Sequence, residues 1–352
     1  MRVLELATVD GEVVFDLDCP ISGGGTRMAP DVTVGETALL ARAMTYKLAI
    51  LRQPMGGAKA GIRAGQADRD AVLARYVEEI RPLVEREEFL TASDLGTRPE
   101  DFAALSRSPT PLHEEDPATG ATLDAVLTGL GVAAAAGAAL GGGGLDGATL
   151  AVEGFGKVGG TTVVEAVRLG GRIVALSTVH GAVADPAGFD VDELLELRRR
   201  HGDRCIEHLG RPVRPAPALY EVDADVLVPG ARTGSLDVAR AAAVRTRVVA
   251  PAANVPYTAG GLATLEGRGI VALADFVCNA GATIGYVSER GAPLSTVDDV
   301  RAAVAATVRE ATTSAVAHAE GAFAAACIAA EDYLRTWRPS DGMPEGRPVA
   351  PD

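Results

Sequence analysis

The first eighteen residues, MRVLELATVDGEVVFDLD, alternate apolar and acidic positions, the period-two pattern of strand with one face turned inward. The period then lengthens. ETALLARAMTYKLAIL and RDAVLARYVEEIRPLVERE repeat their apolar residues at helical spacing and predict two amphipathic helices. Strand and helix thus mix in a first domain, residues 1–118. The stretch SRSPTPLHEEDPATG, with three prolines and an acidic cluster, interrupts any regular element and marks the approach to a boundary.

Beyond it the pattern becomes that of a second domain, 119–309. An alanine-rich helix, LDAVLTGLGVAAAAGAAL, runs into a loop of four glycines, Gly141 to Gly144. TLAVEGFGKVGGTTVVEAVRLGGRIVALS then reads as strand, glycine turn, helix and strand. Short apolar cores recur at DVLVPGA, RVVAPAA and GIVALADFV, separated by helix-length spacers, which is the rhythm of a parallel sheet covered on both faces. The predicted class is α/β with two domains, the second of Rossmann type. The segment VRAAVAATVREATTSAVAHAEGAFAAACIAAEDYLRTW is helical, and the tail 341–352, rich in proline and glycine, is expected to be disordered. No internal repeat is present.

Composition narrows the possible partners. A formal net charge of −14 over 352 residues repels phosphate backbones and anionic lipid, so neither nucleic acid nor a membrane surface is expected as a partner. There is no basic start followed by an apolar run of the signal-peptide kind, and no apolar run reaches the roughly 18 residues of a membrane span. Cys19, Cys205, Cys278 and Cys327 are scattered without a CxxC spacing, as in a reduced cytoplasmic enzyme. His201, Cys205 and His208 stand at i, i+4, i+7, but Gly202 and Asp203 interrupt that helix and no fourth ligand is apparent. They are expected to be solvated surface residues, and no metal is predicted.

Gly154, Gly156 and Gly159 form GxGxxG directly after the apolar strand TLAVE, which makes Gly154, Phe155, Gly156, Lys157, Val158 and Gly159 the candidate dinucleotide turn. The first glycine permits the tight turn, the second lets the backbone approach a pyrophosphate, and the third lets helix and strand pack closely. Lys157 inside the turn could meet phosphate or point to solvent. A carboxylate for the adenosine ribose is expected at the end of the next strand, yet RIVALSTVHG places Ser177 and Thr178 there. Nothing at that position repels a 2′-phosphate, so the cofactor is NAD or NADP.

Lysine is scarce. It occurs only at Lys47, Lys59 and Lys157, leaving 30 of the 33 basic residues as arginine, and two of the three lie in MTYKLAILRQPMGGAK. An ammonium loses its proton near neutral pH when buried or crowded by another cation, whereas a guanidinium does not. A lysine is ordinarily a solvated charge. The glycines of GGAKAG, which allow close approach of a ligand, point instead to a titratable amine at Lys59.

MTYK, GGAK twelve residues later, TASDLGT at 91–97, GFGKVG and DFVCNAG at 275–281 occur in the order that resembles the glutamate/leucine/phenylalanine/valine dehydrogenase family, across roughly Gly23 to Tyr286. The resemblance implies reversible NAD- or NADP-dependent oxidative deamination of an L-α-amino acid to a 2-oxo acid and ammonia. It implies two domains with a cleft between them, a C-terminal helix (310–340) returning to the first domain, and a homo-oligomer assembled through that domain. Lys47 would then bind the substrate α-carboxylate, and Lys59, its pKa lowered by burial and the neighbouring ammonium, would be the base. Asp94 would pass protons to and from the amino group; standing alone, it would read as a salt bridge or helix cap. Asn279 would hold substrate and nicotinamide, Thr128 the carboxamide, and Asn254 the cofactor ribose.

The same resemblance bears on the substrate. Glutamate dehydrogenases carry a lysine for the γ-carboxylate just before a GG-x-R segment; in SGGGTRM that position is Gly23. Gly23, Ala92, Thr283 and Tyr286 are the implied side-chain pocket, which suits an apolar or aromatic amino acid. The segment ALSTVHGAVADPAGFDVDELLE follows the glutamate branch instead, so glutamate remains the alternative substrate. A non-catalytic nucleotide-binding protein on the same scaffold is the alternative outside enzymology; it has no need of Lys47, Lys59 and Asp94 together.

Overall fold

The computed structural model describes residues 1–105, 110–117, 119–141, 144–290, 296–338 and 342–352. Its contacts divide into two compact units, Met1–Thr110 with Cys327–Pro348, and Pro111–Ala326 with Val349–Asp352.

In the first unit β1 (Arg2–Glu5), β2 (Gly11–Phe15), β3 (Ser22–Met28), α1 (Val34–Ile50), β4 (Gly56–Ile62), α2 (Arg69–Glu85) and β5 (Phe89–Ser93) build one five-stranded sheet in the order β1-β2-β4-β3-β5. β3 runs parallel to β4 and β5, while β1 and β2 are antiparallel additions. Alternation sorts the two faces. Val13, Phe15, Met28, Ala58, Ala60 and Ile62 pack against Val72, Leu73, Tyr76, Val77 and Ile80 of α2, forming the core. Burying each such large side chain is worth about 1.5–3 kcal/mol. Gly23, Gly25 and Arg27 of β3, Gly57, Lys59 and Gly61 of β4, and Ala92 of β5 fall on the opposite face. That face belongs to α1. A Cβ on Gly57 would lie 2.1 Å from the Ala41 carbonyl oxygen, and one on Gly61 2.4 Å from Thr37 Oγ1, so the glycines let the helix lie directly on the strand.

The second unit begins with the short pair β6 (Glu115–Asp116) and β7 (Ala121–Thr122) and continues through α3 (Leu123–Ala139), β8 (Thr149–Glu153), α4 (Lys157–Arg168), β9 (Arg172–Thr178) and β10 (Gly181–Ala184). There follow α5 (Val191–His201), β11 (Val226–Val228), α6 (Val238–Ala243), β12 (Val248–Val249), α7 (Ala259–Gly267), β13 (Val271–Ala272), α8 (Asp275–Cys278), α9 (Gly281–Arg290) and α10 (Val297–Val316). The sheet order is β10-β9-β8-β11-β12-β13, parallel except for the edge strand β10, which folds back antiparallel on β9. The three apolar cores of the sequence are the centres of β11, β12 and β13. The last helix, α11 (Ala322–Trp337), runs through Cys327, where the division between the units falls.

The structure bears on three of these expectations. Gly142 and Gly143 of the glycine loop lie outside the described residues, as does residue 341 of the tail. The rest of the tail, expected to be disordered, makes hydrogen bonds to both units. Arg42 donates to the carbonyl oxygens of Glu345 and Gly346, Ala350 N donates to Tyr257 O at 2.9 Å, and Ala259 N donates to Ala350 O at 3.0 Å. At the HGDRCIEH segment Gly202, with φ +56, ends α5. His201 and His208 stack with ring centroids 3.7 Å apart, while Cys205 is buried rather than solvated.

Candidate active site

Lys59 sits at the middle of β4 with its ammonium buried. Its Nζ pairs with Asp94 Oδ2 at 2.8 Å, and Arg27 Nε donates to the same oxygen at 3.0 Å. Arg27 continues to Glu36 in the first turn of α1, at 2.6 Å from Nη1 to Oε1. Gly25 of β3 leaves room for the cluster: a Cβ there would come 3.1 Å from Asp94 Cβ and 3.3 Å from Lys59 Nζ, closer than ordinary contact. Asp94 is placed by the turn after β5. Gly96 there has φ +80, and a Cβ on it would strike the Met28 carbonyl oxygen at 1.9 Å. Thr97 Oγ1 accepts from Asp94 N at 2.9 Å and donates to Thr26 O at 2.8 Å.

Burial pushes the Lys59 pKa down; Asp94 opposes that shift and Arg27 adds to it, with the net result a lowered value. Burial alone would raise the Asp94 carboxyl, but Lys59 and Arg27 outweigh it and hold the group well below the usual carboxylate range. Arg27 is one cation that depresses Lys59, and the sequence pointed only to Lys47. Arg27 escaped notice although strand alternation puts it two positions beyond Gly25 on the same face.

Lys47 is buried on α1, one residue before Leu48. Leu48 Cδ1 and Met55 Cε are the side-chain atoms nearest Gly23, at 3.7 and 3.6 Å from an added Cβ. The bed of that position is apolar. Ala92, paired with Gly25 across the β3–β5 ladder, is half-buried beside it.

In the second unit Gly154 has φ +81 and donates its N–H to Ser177 O at 3.1 Å. A Cβ on Gly159 would lie 1.9 Å from the Gly154 carbonyl oxygen, whereas one on Gly156 would meet nothing within 4 Å. Gly156 and Lys157 are exposed at the start of α4, while Phe155 is buried beneath the turn and Val158 is half-buried. Two glycines thus serve packing and the third leaves open space over a helix N-terminus, an arrangement that fits a dinucleotide pyrophosphate. Ser177 is enclosed in the sheet between Glu153 and Ala182, and Thr178 Oγ1 donates to Asp203 O at 2.7 Å, so both ribose candidates are turned inward.

The remaining candidates lie on the helices of this unit, except Asn254, which stands in the loop between β12 and α7. Asn279 caps α8 and donates from Nδ2 to Asn254 Oδ1 at 3.0 Å and to Ala252 O at 3.2 Å, which brings the two asparagines together. Val255, next in the chain, holds φ +48, a conformation that β-branched residues rarely adopt, and its N–H is anchored by Asp275 Oδ2 at 2.9 Å. Thr128 donates to Asp124 O at 2.8 Å within α3. Thr283 and Tyr286 share one face of α9. Tyr286 Oη lies 3.0 Å from His113 Nε2; burial, with Asp124 and Glu289, raises the phenol. His113 lies in the proline-rich turn that the sequence marked only as a boundary.

Two family profiles cover most of the chain: one described as the Glu/Leu/Phe/Val dehydrogenase dimerisation domain over residues 14–109, and one as Glutamate/Leucine/Phenylalanine/Valine dehydrogenase over 120–332. The chain is 32% identical over 285 residues to a glutamate dehydrogenase of Thermotoga maritima, covering 75% of this chain and 68% of that one. It is 30% identical to an NADP-specific glutamate dehydrogenase of Saccharolobus shibatae, covering 76% and 67%. The hetero-hexameric glutamate dehydrogenase of Thermus thermophilus, in a leucine-bound form, superposes with a TM-score of 0.78 at 27% identity over 97% of this chain and 89% of that one. The L-tryptophan dehydrogenase of Nostoc punctiforme shares the fold, with a TM-score of 0.63 at 23% identity over 97% of both chains. This chain belongs to the glutamate/leucine/phenylalanine/valine dehydrogenase family and is an NAD(P)-dependent amino acid dehydrogenase.

Proposed function

We propose that the chain deaminates an L-α-amino acid with an apolar or aromatic side chain, reversibly, to the 2-oxo acid and ammonia. The observation that carries the side-chain choice is Gly23, whose nearest side chains are Leu48 and Met55. A γ-carboxylate brought there without a cation would be buried unpaired, at a cost of several kcal/mol. Ala92 of the same unit leaves further room.

Lys47 holds the α-carboxylate. Lys59, its pKa lowered by burial and by Arg27, takes the proton from the water that attacks the imine carbon, and Asp94 carries protons to and from the nitrogen. Thr128, Asn254 and Asn279 position the nicotinamide end of the dinucleotide and Gly154 to Gly159 its pyrophosphate; bound NAD(P) supplies the hydride acceptor. The first unit carries assembly into a homo-oligomer, in keeping with the dimerisation-domain profile over 14–109.

Glutamate is the second reading, favoured by the relatives at 30–32% identity. Formation of reduced nicotinamide at 340 nm, with each dinucleotide crossed against L-Glu, Leu, Val, Phe, Tyr and Trp, separates the two. An apolar or aromatic member should exceed glutamate in kcat/KM by about 100-fold, the equivalent of about 2.7 kcal/mol of unpaired charge. Preference for glutamate would overturn the Gly23 argument and leave the dehydrogenase assignment standing.

A further inference from the structure

Arg198, near the end of α5, is the group the catalytic account leaves unused. Its guanidinium is half-buried, its carbon 5.5 Å from the centroid of the Phe155 ring, and Nη1 lies 2.4 Å from where a Gly160 Cβ would stand. It therefore rests against the glycine turn and the first turn of α4. Among the described residues it makes no ion pair or hydrogen bond; Asp203 acts on it only from beyond pairing distance. Burial lowers its pKa, and Asp203 and Cys205 offset that only in part, so the cation is held where its charge is not satisfied. Meanwhile the end of β9 offers no carboxylate for a ribose 2′-hydroxyl, and the Thr178 hydroxyl is already committed to Asp203 O.

We propose that Arg198 selects NADP by pairing with the 2′-phosphate of the adenosine ribose. A dinucleotide with its pyrophosphate over Gly156 directs its adenosine toward the end of β9, and the guanidinium beside Phe155 and Gly160 lies against that same turn. The phosphate supplies the acceptors that Arg198 lacks, and β9 itself ends in Ser177 and Thr178 rather than in a carboxylate. The inference rests on the dinucleotide-binding reading of this unit and on nothing in the substrate pocket.

Calorimetric titration of the full chain with 2′,5′-ADP and with 5′-AMP tests it without turnover. The wild type should bind 2′,5′-ADP at least tenfold more tightly than 5′-AMP. Arg198→Met should erase that ratio by weakening 2′,5′-ADP alone, and Arg198→Lys should keep part of it as a point charge. Equal affinity of the wild type for the two probes would overturn the proposal whether or not the Met variant folds, as would an unchanged ratio in that variant. If neither probe binds, the dinucleotide site itself is misplaced.

Discussion

Replacing Lys59 with methionine is expected to lower kcat by about 10³-fold, within the range observed when a positioned general base is removed. Methionine keeps the length and apolar stem of the side chain, so the neighbouring glycines of β3 and β4 face a similar volume. Asp94 retains Arg27 Nε at 3.0 Å as its counter-ion. The loss should therefore be chemical rather than structural: kcat and kcat/KM fall together, because the base acts in the transition state and not in binding substrate. Dinucleotide affinity, measured by quenching or calorimetry, should stay within about twofold, since Gly154 to Gly159 belong to the other unit. Turnover near the wild-type level would remove Lys59 from the mechanism.

The second large effect belongs to Asp94. Asparagine in its place preserves shape but removes the negative charge shared by Lys59 and Arg27. Arg27 keeps Glu36 at 2.6 Å, but the buried Lys59 ammonium loses its counter-ion, and breaking a buried pair in this way costs about 3 kcal/mol of stability where Lys59 is protonated. The catalytic loss should reach about 10²-fold, because the amide cannot take up or return a proton. The sign of the accompanying titration follows from the structure. Asp94 raises the Lys59 pKa, so its removal leaves Lys59 still harder to protonate and moves the ascending limb of the pH profile to lower pH. A variant that loses stability yet keeps full turnover at its optimum would make Asp94 a structural ion pair only.

The parts of this site that could be read from the chain are those where chemistry and local geometry coincide in one short segment. GFGKVG announces itself because three glycines each meet a separate demand of one turn, and the fold shows two of them packed against backbone and the third facing open space. The lysines were conspicuous because the chain writes arginine elsewhere. Arg27 was hidden for the converse reason. As one of 30 arginines it carries no signal, and its partners Glu36 and Asp94 are separated from it by 9 and 67 residues. Only the alternation of Gly23, Gly25 and Arg27 along β3 could have placed it beside Lys59. His113 was masked by prolines, which mark the end of regular structure and are silent about what a loop carries. The tail misled by composition: its order comes from Arg42 on α1 and Tyr257 before α7, groups distant in sequence that supply donors and acceptors to its backbone.

The most direct test of the central claim, that a buried lysine poised by Arg27 and Asp94 is the base, is the pH dependence of kcat/KM for the wild type and Arg27→Gln. The wild type should show one ascending limb below the ordinary lysine value of about 10.4, as Lys59 loses its proton. Arg27 lowers the Lys59 pKa, so its removal should move that limb to higher pH while the activity reached above it persists. A limb that stays in place, or moves down, would contradict the assignment of the titrating group to Lys59.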